Sequence, residues 1–136
     1  MTKGMPKLIY LLVCDDIRQE MNEKLSFIGV YTNNTITVPV IPITLPQFQI
    51  FSMWDSSKER ITYFKFKITQ PDGNTVVQTE SARKPDAHEV TTTTAIHVGL
   101  SPFTILSTGE YKLDIEINGH PHELGTLKVS LTQPVS

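Results

Sequence analysis

Residues 109–117 constrain this chain more than any other stretch. Tyr111, Leu113, Ile115 and Ile117 share one parity; Lys112, Asp114 and Glu116 share the other. That period-2 alternation marks a strand with one dry face and one wet face. Asn118-Gly119 follows at once. Both residue types tolerate positive φ, so the pair predicts a type I′ turn and a hairpin. In the returning strand, residues 124–131, Leu127, Val129 and Leu131 share one parity and Leu124 has the other. Counting from the turn sets Leu124 opposite Leu113. Leu127 then reaches the same interior only across an extra residue, and Gly125 or Thr126 is the expected β-bulge, because glycine has no Cβ to oppose the bend. Tyr111 opens its strand where a Greek-key corner tyrosine bonds back across the crossover; the plainer alternative is a core ring with its hydroxyl at the surface.

The rest of the chain reads as partners for this hairpin. Residues 7–14 are apolar on both parities, as in a strand buried within a sandwich. Residues 15–24 either form a short helix capped by Asp16 or continue the strand into a turn at Asn22-Glu23, and the hairpin is favoured because residues 25–31 are plainly another strand. Gly29 inside that strand suggests a kink or a close approach. Residues 35–40, bounded by Pro39 and Pro42, read as an edge, since proline cannot donate to a ladder. In residues 48–54, Phe48, Ile50 and Trp54 share a face. In residues 61–69, Phe64, Phe66 and Ile68 face in while Tyr63, Lys65 and Lys67 face out. Pro71-Asp72-Gly73-Asn74 is a turn. Residues 75–80 return, residues 81–88 form a polar connection, residues 89–98 form a threonine-rich exposed strand, and residues 100–106 lead back to Gly109. Eight or nine strands with turns between them indicate one all-β domain over residues 1–136: an antiparallel β-sandwich of immunoglobulin-like Greek-key topology, with a C2-like or jelly-roll arrangement as the alternative.

At 136 residues the chain is long enough to hold a core without metal or disulfides. Its net charge is −2 and its Lys and Arg are dispersed among acids, which argues against a nucleic-acid footprint. No stretch is long and apolar enough to cross a membrane as a helix. The single cysteine, Cys14, excludes an intrachain disulfide and fits a reducing compartment. Lys3 and Lys7 ahead of an apolar run ending at Cys14 faintly imitate a lipoprotein signal, with anchoring at Cys14. The run is short, and Leu11, Leu12 and Val13 are not the small residues such cleavage prefers, so a buried strand is the expectation.

Motifs that carry chemistry are sparse. There is no phosphate loop and no zinc-finger spacing, and Gly99-Leu100-Ser101-Pro102-Phe103 lacks the final glycine of a nucleophile elbow. His120 and His122, two apart in an extended segment, point the same way and are the weak metal candidates, but a site needs three or four ligands. Asp15, Asp16, Glu20 and Glu23 match no calcium loop, and Arg18 and Lys24 offset their charge. Trp54, Tyr63 and Arg60 are the weak binding candidates, with Tyr31, Lys65 and Lys67 beside them.

The stretch Cys14-Asp15-Asp16-Ile17-Arg18-Gln19-Glu20, followed by Lys24-Leu25-Ser26-Phe27-Ile28-Gly29-Val30-Tyr31, resembles a family of small uncharacterised bacterial proteins with an immunoglobulin-like β-sandwich, a domain of unknown function. Leu45-Pro46, Pro71-Asp72-Gly73 and Gly109-Glu110-Tyr111 also fall where that family has such motifs. The family pattern has Asn-Gly where this chain has Asn22-Glu23. The resemblance implies a fold, a bacterial source and a cytoplasmic protein, and supplies no catalytic residues.

Three functional expectations stand in order. The first is a non-catalytic module, without cofactor or enzyme activity, that meets another protein or its own copy through an edge strand; neither nucleic acid nor membrane is expected as a partner. The second is a small-ligand or carbohydrate-binding sandwich, which requires exposed aromatics among Trp54, Tyr31 and Tyr63. The third is a metal-dependent hydrolase using His120 and His122.

Overall fold

The computed structural model describes residues 4–82 and 92–132. Within them the chain is all-β, with single turns of 3-10 helix at Met21–Glu23 and Thr32–Asn34. The strands are β1 (Lys7–Gln19), β2 (Leu25–Val30), β3 (Thr35–Val38), β4 (Ile43–Leu45), β5 (Phe48–Asp55), β6 (Tyr63–Thr69), β7 (Thr75–Ala82), β8 (Thr93–Leu100), β9 (Phe103–Ile105), β10 (Gly109–Ile117) and β11 (His120–Leu131). A four-stranded sheet has the order β2-β1-β5-β8, a five-stranded sheet the order β3-β11-β10-β6-β7, and β4 pairs with β9 in a small ribbon.

Eleven strands among the described residues exceed the eight or nine expected. The excess has a local cause. The expected edge at residues 35–40 ends at Val38, a further strand, β4, begins beyond Pro42, and Ser101-Pro102 separates β8 from β9. Proline lacks the N–H that would continue a ladder across these points. Pairing is antiparallel with one correction to the expectation: β3 runs parallel to β11, Thr35 opposite Lys128 through Val38 opposite Leu131. The expected strand over 89–98 appears as β8, and residues 83–91, which hold the start of that strand and most of the polar connection, lie outside the described residues.

The Asn118-Gly119 turn forms as its residue types dictate, with φ of 51° and 84°. Counting from it, Asp114 pairs with Glu123 and Leu113 with Gly125, which leaves Leu124 as the extra residue. The bulge therefore spans Leu124–Gly125, beginning one residue before the expected position, and both Leu124 and Leu127 are buried. Tyr111 is buried, and its hydroxyl donates to the Ser107 carbonyl oxygen at 2.7 Å, the corner bond rather than a surface hydroxyl. Residues 15–24 form the hairpin: β1 runs on to Gln19, Asn22 takes φ 63°, and the Glu20 N–H donates to the Lys24 carbonyl at 2.7 Å.

The two larger sheets share one core. Val13, Phe48, Ile50, Trp54, Ile96 and Val98 meet Ile36, Phe66, Ile68, Leu113, Ile115 and Leu127 in a single apolar cluster. One expectation is corrected here. β1 is interior to its sheet but not dry on both faces, since Ile9 is 52% and Tyr10 40% exposed. A satellite cluster lies on the opposite face of β5, where Tyr10 stacks on buried Phe51 at 6.0 Å and Phe27 meets it edge-on at 5.0 Å.

Candidate functional site

Among the described residues the sheet orders leave β2 and β8 as edges of one sheet and β3 and β7 as edges of the other. An edge presents unpaired N–H and C=O groups, and proteins blunt such edges with charge, proline, shortness or a kink. β3 is only four residues long and runs into Pro39. β2 is bent at Gly29, whose φ of 68° turns the strand where the Asp15 carboxylate sits close against it. β7 carries Glu80 and a nearly continuous run of exposed side chains. β8 has none of these devices: Thr93–Leu100 contains no proline and no Lys, Arg, Asp or Glu, and it alternates exposed and buried residues. Its core-side residues Thr94, Ile96 and Val98 are buried.

β7 and β8 border the same opening between the sheets. Two adjoining depressions line it, sharing Phe64, Ser81, Ala95 and Ile96. One, of ≈ 370 Å³, reaches Ile61 and Ala82. The other, of ≈ 580 Å³, reaches Val77, Val98 and Leu100. Phe64, Val77 and Leu100 are half-buried there because no third layer covers them among the described residues. Among the described residues no Lys, Arg, Asp or Glu lines either depression. His97, on the outer face of β8, bonds through Nε2 to Gln49 Oε1, and burial pushes its pKa below the usual imidazole range.

The residues singled out from the sequence are dispersed. Trp54 is 1% exposed, so it has no ring face to offer a ligand; the binding candidate is a core residue. Its Nε1–H donates to Ser52 Oγ at 2.8 Å, and Ser52 Oγ donates to the Ile96 carbonyl at 3.2 Å, tying β5 to β8. Tyr63 lies at the rim of the smaller depression, where its hydroxyl donates to Glu80 at 2.9 Å; that bond, first, raises its pKa. Arg60 is exposed, and its carbonyl accepts from Asn118 Nδ2 at 2.8 Å. Tyr31 donates its hydroxyl to Asp15, and burial, first, raises its pKa.

His120 is exposed, whereas His122 lies edge-on to Trp54 with ring centroids 5.3 Å apart and a buried Nε2 that has no hydrogen-bond partner among the described residues. Burial lowers the His122 pKa, the neighbouring His120 lowers it further, and Glu59 opposes. Among the described residues no three His, Cys, Asp or Glu side chains gather as metal ligands. Asp16 instead pairs with Arg18 at 3.2 Å. Cys14 is fully buried in mid-strand, opposite Gln49 and Val30, and burial raises its thiol pKa. Lys65 and Lys67 line a third depression of ≈ 510 Å³ on the wet face of the five-stranded sheet. They lie opposite Glu116 and Asp114 in the ladder, so the face carries both signs side by side.

The sequence reading did not find the opening between β7 and β8. Its one available signal is an uncharged, proline-free run at residues 93–100 beside a long connection. Also missed was the Asn118 side chain, which holds residues 60–63 with both ends of its amide.

The model of a family described as a family of unknown function (DUF6941) matches residues 9–130, and the chain belongs to that family. No curated protein matches the chain.

Proposed function

We propose that this member of DUF6941 is a non-catalytic binding module, an immunoglobulin-like Greek-key β-sandwich that meets a partner protein through an edge strand. The observation that carries the reading is β8, a long edge with neither charge nor proline beside an opening that no Lys, Arg, Asp or Glu lines among the described residues. Such an edge is a ready template for strand addition, in which main-chain bonds supply affinity and side-chain pockets supply specificity.

The Greek-key part of the reading is supported by the chain path. β5 belongs to one sheet, β6 and β7 form a hairpin in the other, β8 returns to pair with β5, and β10 and β11 complete the second sheet beside β6. The bonded corner tyrosine at the head of β10 supports it further, against a C2-like or jelly-roll path. The non-catalytic part is supported by the dispersal of titratable groups, since acid–base or metal chemistry needs them convergent.

The reading includes a bacterial, cytoplasmic setting. Cleavage before Cys14 for lipid attachment would remove Lys7 to Val13, which pair with β5, and so strip the sheet of half a strand.

A pull-down from the host with mass spectrometry tests the module, run with the wild type and with Ala95→Lys. Ala95 is exposed on β8, and a lysine there blunts the edge without entering the core. A partner recovered by the wild type and lost with the variant is the expected result. Nothing recovered, or equal recovery with both, counts against the reading.

A further inference from the structure

The opening between β7 and β8 carries a sharper assignment, which rests on the edge-strand reading above. We infer that it seats one extended segment of a partner protein, uncharged, with apolar side chains at every second position.

The geometry fixes the alternation. Among the described residues β8 is paired on one side only, with β5, so its other side offers main-chain groups to an added strand. Side chains of that strand on the face of Ile96 and Val98 enter the gap and meet Phe64 and Val77 across it. The intervening side chains lie beside Ala95, His97 and Gly99 on the outer face, where polar groups stay wet.

The charge pattern fixes the composition. Among the described residues neither depression is lined by a Lys, Arg, Asp or Glu side chain. A charged group driven into the gap would lose hydration with no opposite charge to meet it. Acidic, basic and phosphorylated segments are therefore excluded, and a neutral strand is selected. Thr94 and Ser56 bond each other at 2.7 Å, which ties the start of β8 to the end of β5 on the paired side of the strand.

The test uses two displayed libraries of eight-residue segments on the full chain. In one, apolar residues alternate with Ser, Thr or Asn; in the other, Lys or Glu replaces the apolar residues. Enrichment from the first library alone is expected. A selected peptide should slow exchange of β8 amides that do not bond β5 at least ~10-fold. N-methylation at one parity of the peptide should weaken binding about 10-fold, and at the other parity less than ~2-fold, because only one row of amides faces β8. Phe64→Ala and the milder Val77→Ala should each weaken binding, while the peptide scan needs no variant of the protein. Equal enrichment from the charged library overturns the neutral-strand assignment. Protection mapping to β2 or β3 overturns this groove and leaves edge recognition standing. A concentration-dependent dimer that protects β8 replaces the foreign segment with a second copy. No enrichment from either library overturns the groove, while the Ala95→Lys pull-down reports separately on edge recognition.

Discussion

Replacing Asn118 separates two roles that one side chain holds. Its backbone sits at φ 51°, which a left-handed turn requires. Its amide oxygen accepts from the Thr62 N–H at 2.9 Å, the Thr62 hydroxyl at 3.0 Å and the Tyr63 N–H at 3.2 Å. Its Nδ2 donates to the Arg60 carbonyl at 2.8 Å. Each such bond contributes about 0.5–1.5 kcal/mol net. Three of the four share one oxygen, and the loop is only partly buried, so water recovers some of the loss. Asn118→Gly keeps the turn conformation and removes the bonds, for an expected loss of ~2–3 kcal/mol. Asn118→Ala removes the same bonds and adds roughly 1–2 kcal/mol of left-handed strain. Asn118→Asp keeps the acceptor and loses one donor, about 1 kcal/mol. At about 3–4 °C per kcal/mol for a domain of this size, glycine should lower Tm by ~6–12 °C and alanine by a further ~3–8 °C. Thermal melts and urea titrations of the three variants give the order Asp, Gly, Ala. Glycine matching the wild type would show that the side chain holds nothing, and alanine no worse than glycine would show that the turn is not left-handed.

Other outcomes follow from single contacts. Tyr111→Phe leaves the half-buried Ser107 carbonyl without its donor and should lose about 1 kcal/mol by urea titration; an unchanged midpoint would refute the corner bond. Burial lowers the folded pKa of His122 and of His97 below the unfolded value near 6.5. The unfolded chain thus binds more protons, so stability is full above about pH 6.5 and falls as pH drops through and below it. His122→Asn should flatten that acid-side loss between pH 7 and pH 5 in chemical denaturation, and a slope unchanged in the variant would assign the effect elsewhere. Gly29→Ala strains a φ of 68° and drives a Cβ against the Asp15 carboxylate, for a loss of ~1–3 kcal/mol; a melt equal to the wild type would contradict the kink.

The turn chemistry was the most legible layer. Asn118-Gly119, Pro71-Asp72-Gly73 and the alternation of β6 and β10 depend on residues adjacent in the chain, so local pattern suffices for them. The parallel pairing of β3 with β11 was not legible, because period-2 alternation says which face a residue takes and nothing of which strand lies beside it. Trp54 shows the same limit. Its parity with Phe48 and Ile50 was visible, but whether the strand end lay at the rim or inside depended on the sheet packed across it. The proposed binding surface was least legible of all. It is assembled from β6, β7 and β8, and what marks it is an absence of charge that becomes visible only once the three are side by side.

The parallel seam has a consequence for biosynthesis. Ile36 and Val38 are made early, yet the ladder that shelters them runs to Leu131, in a strand made far later in the chain. Until that last strand emerges, the early apolar pair has no place to dock, and the nascent chain carries an unfinished margin. Ribosome-held intermediates stalled before residue 128 should therefore remain open to protease and chaperone, with docking of β3 arriving as a single late event.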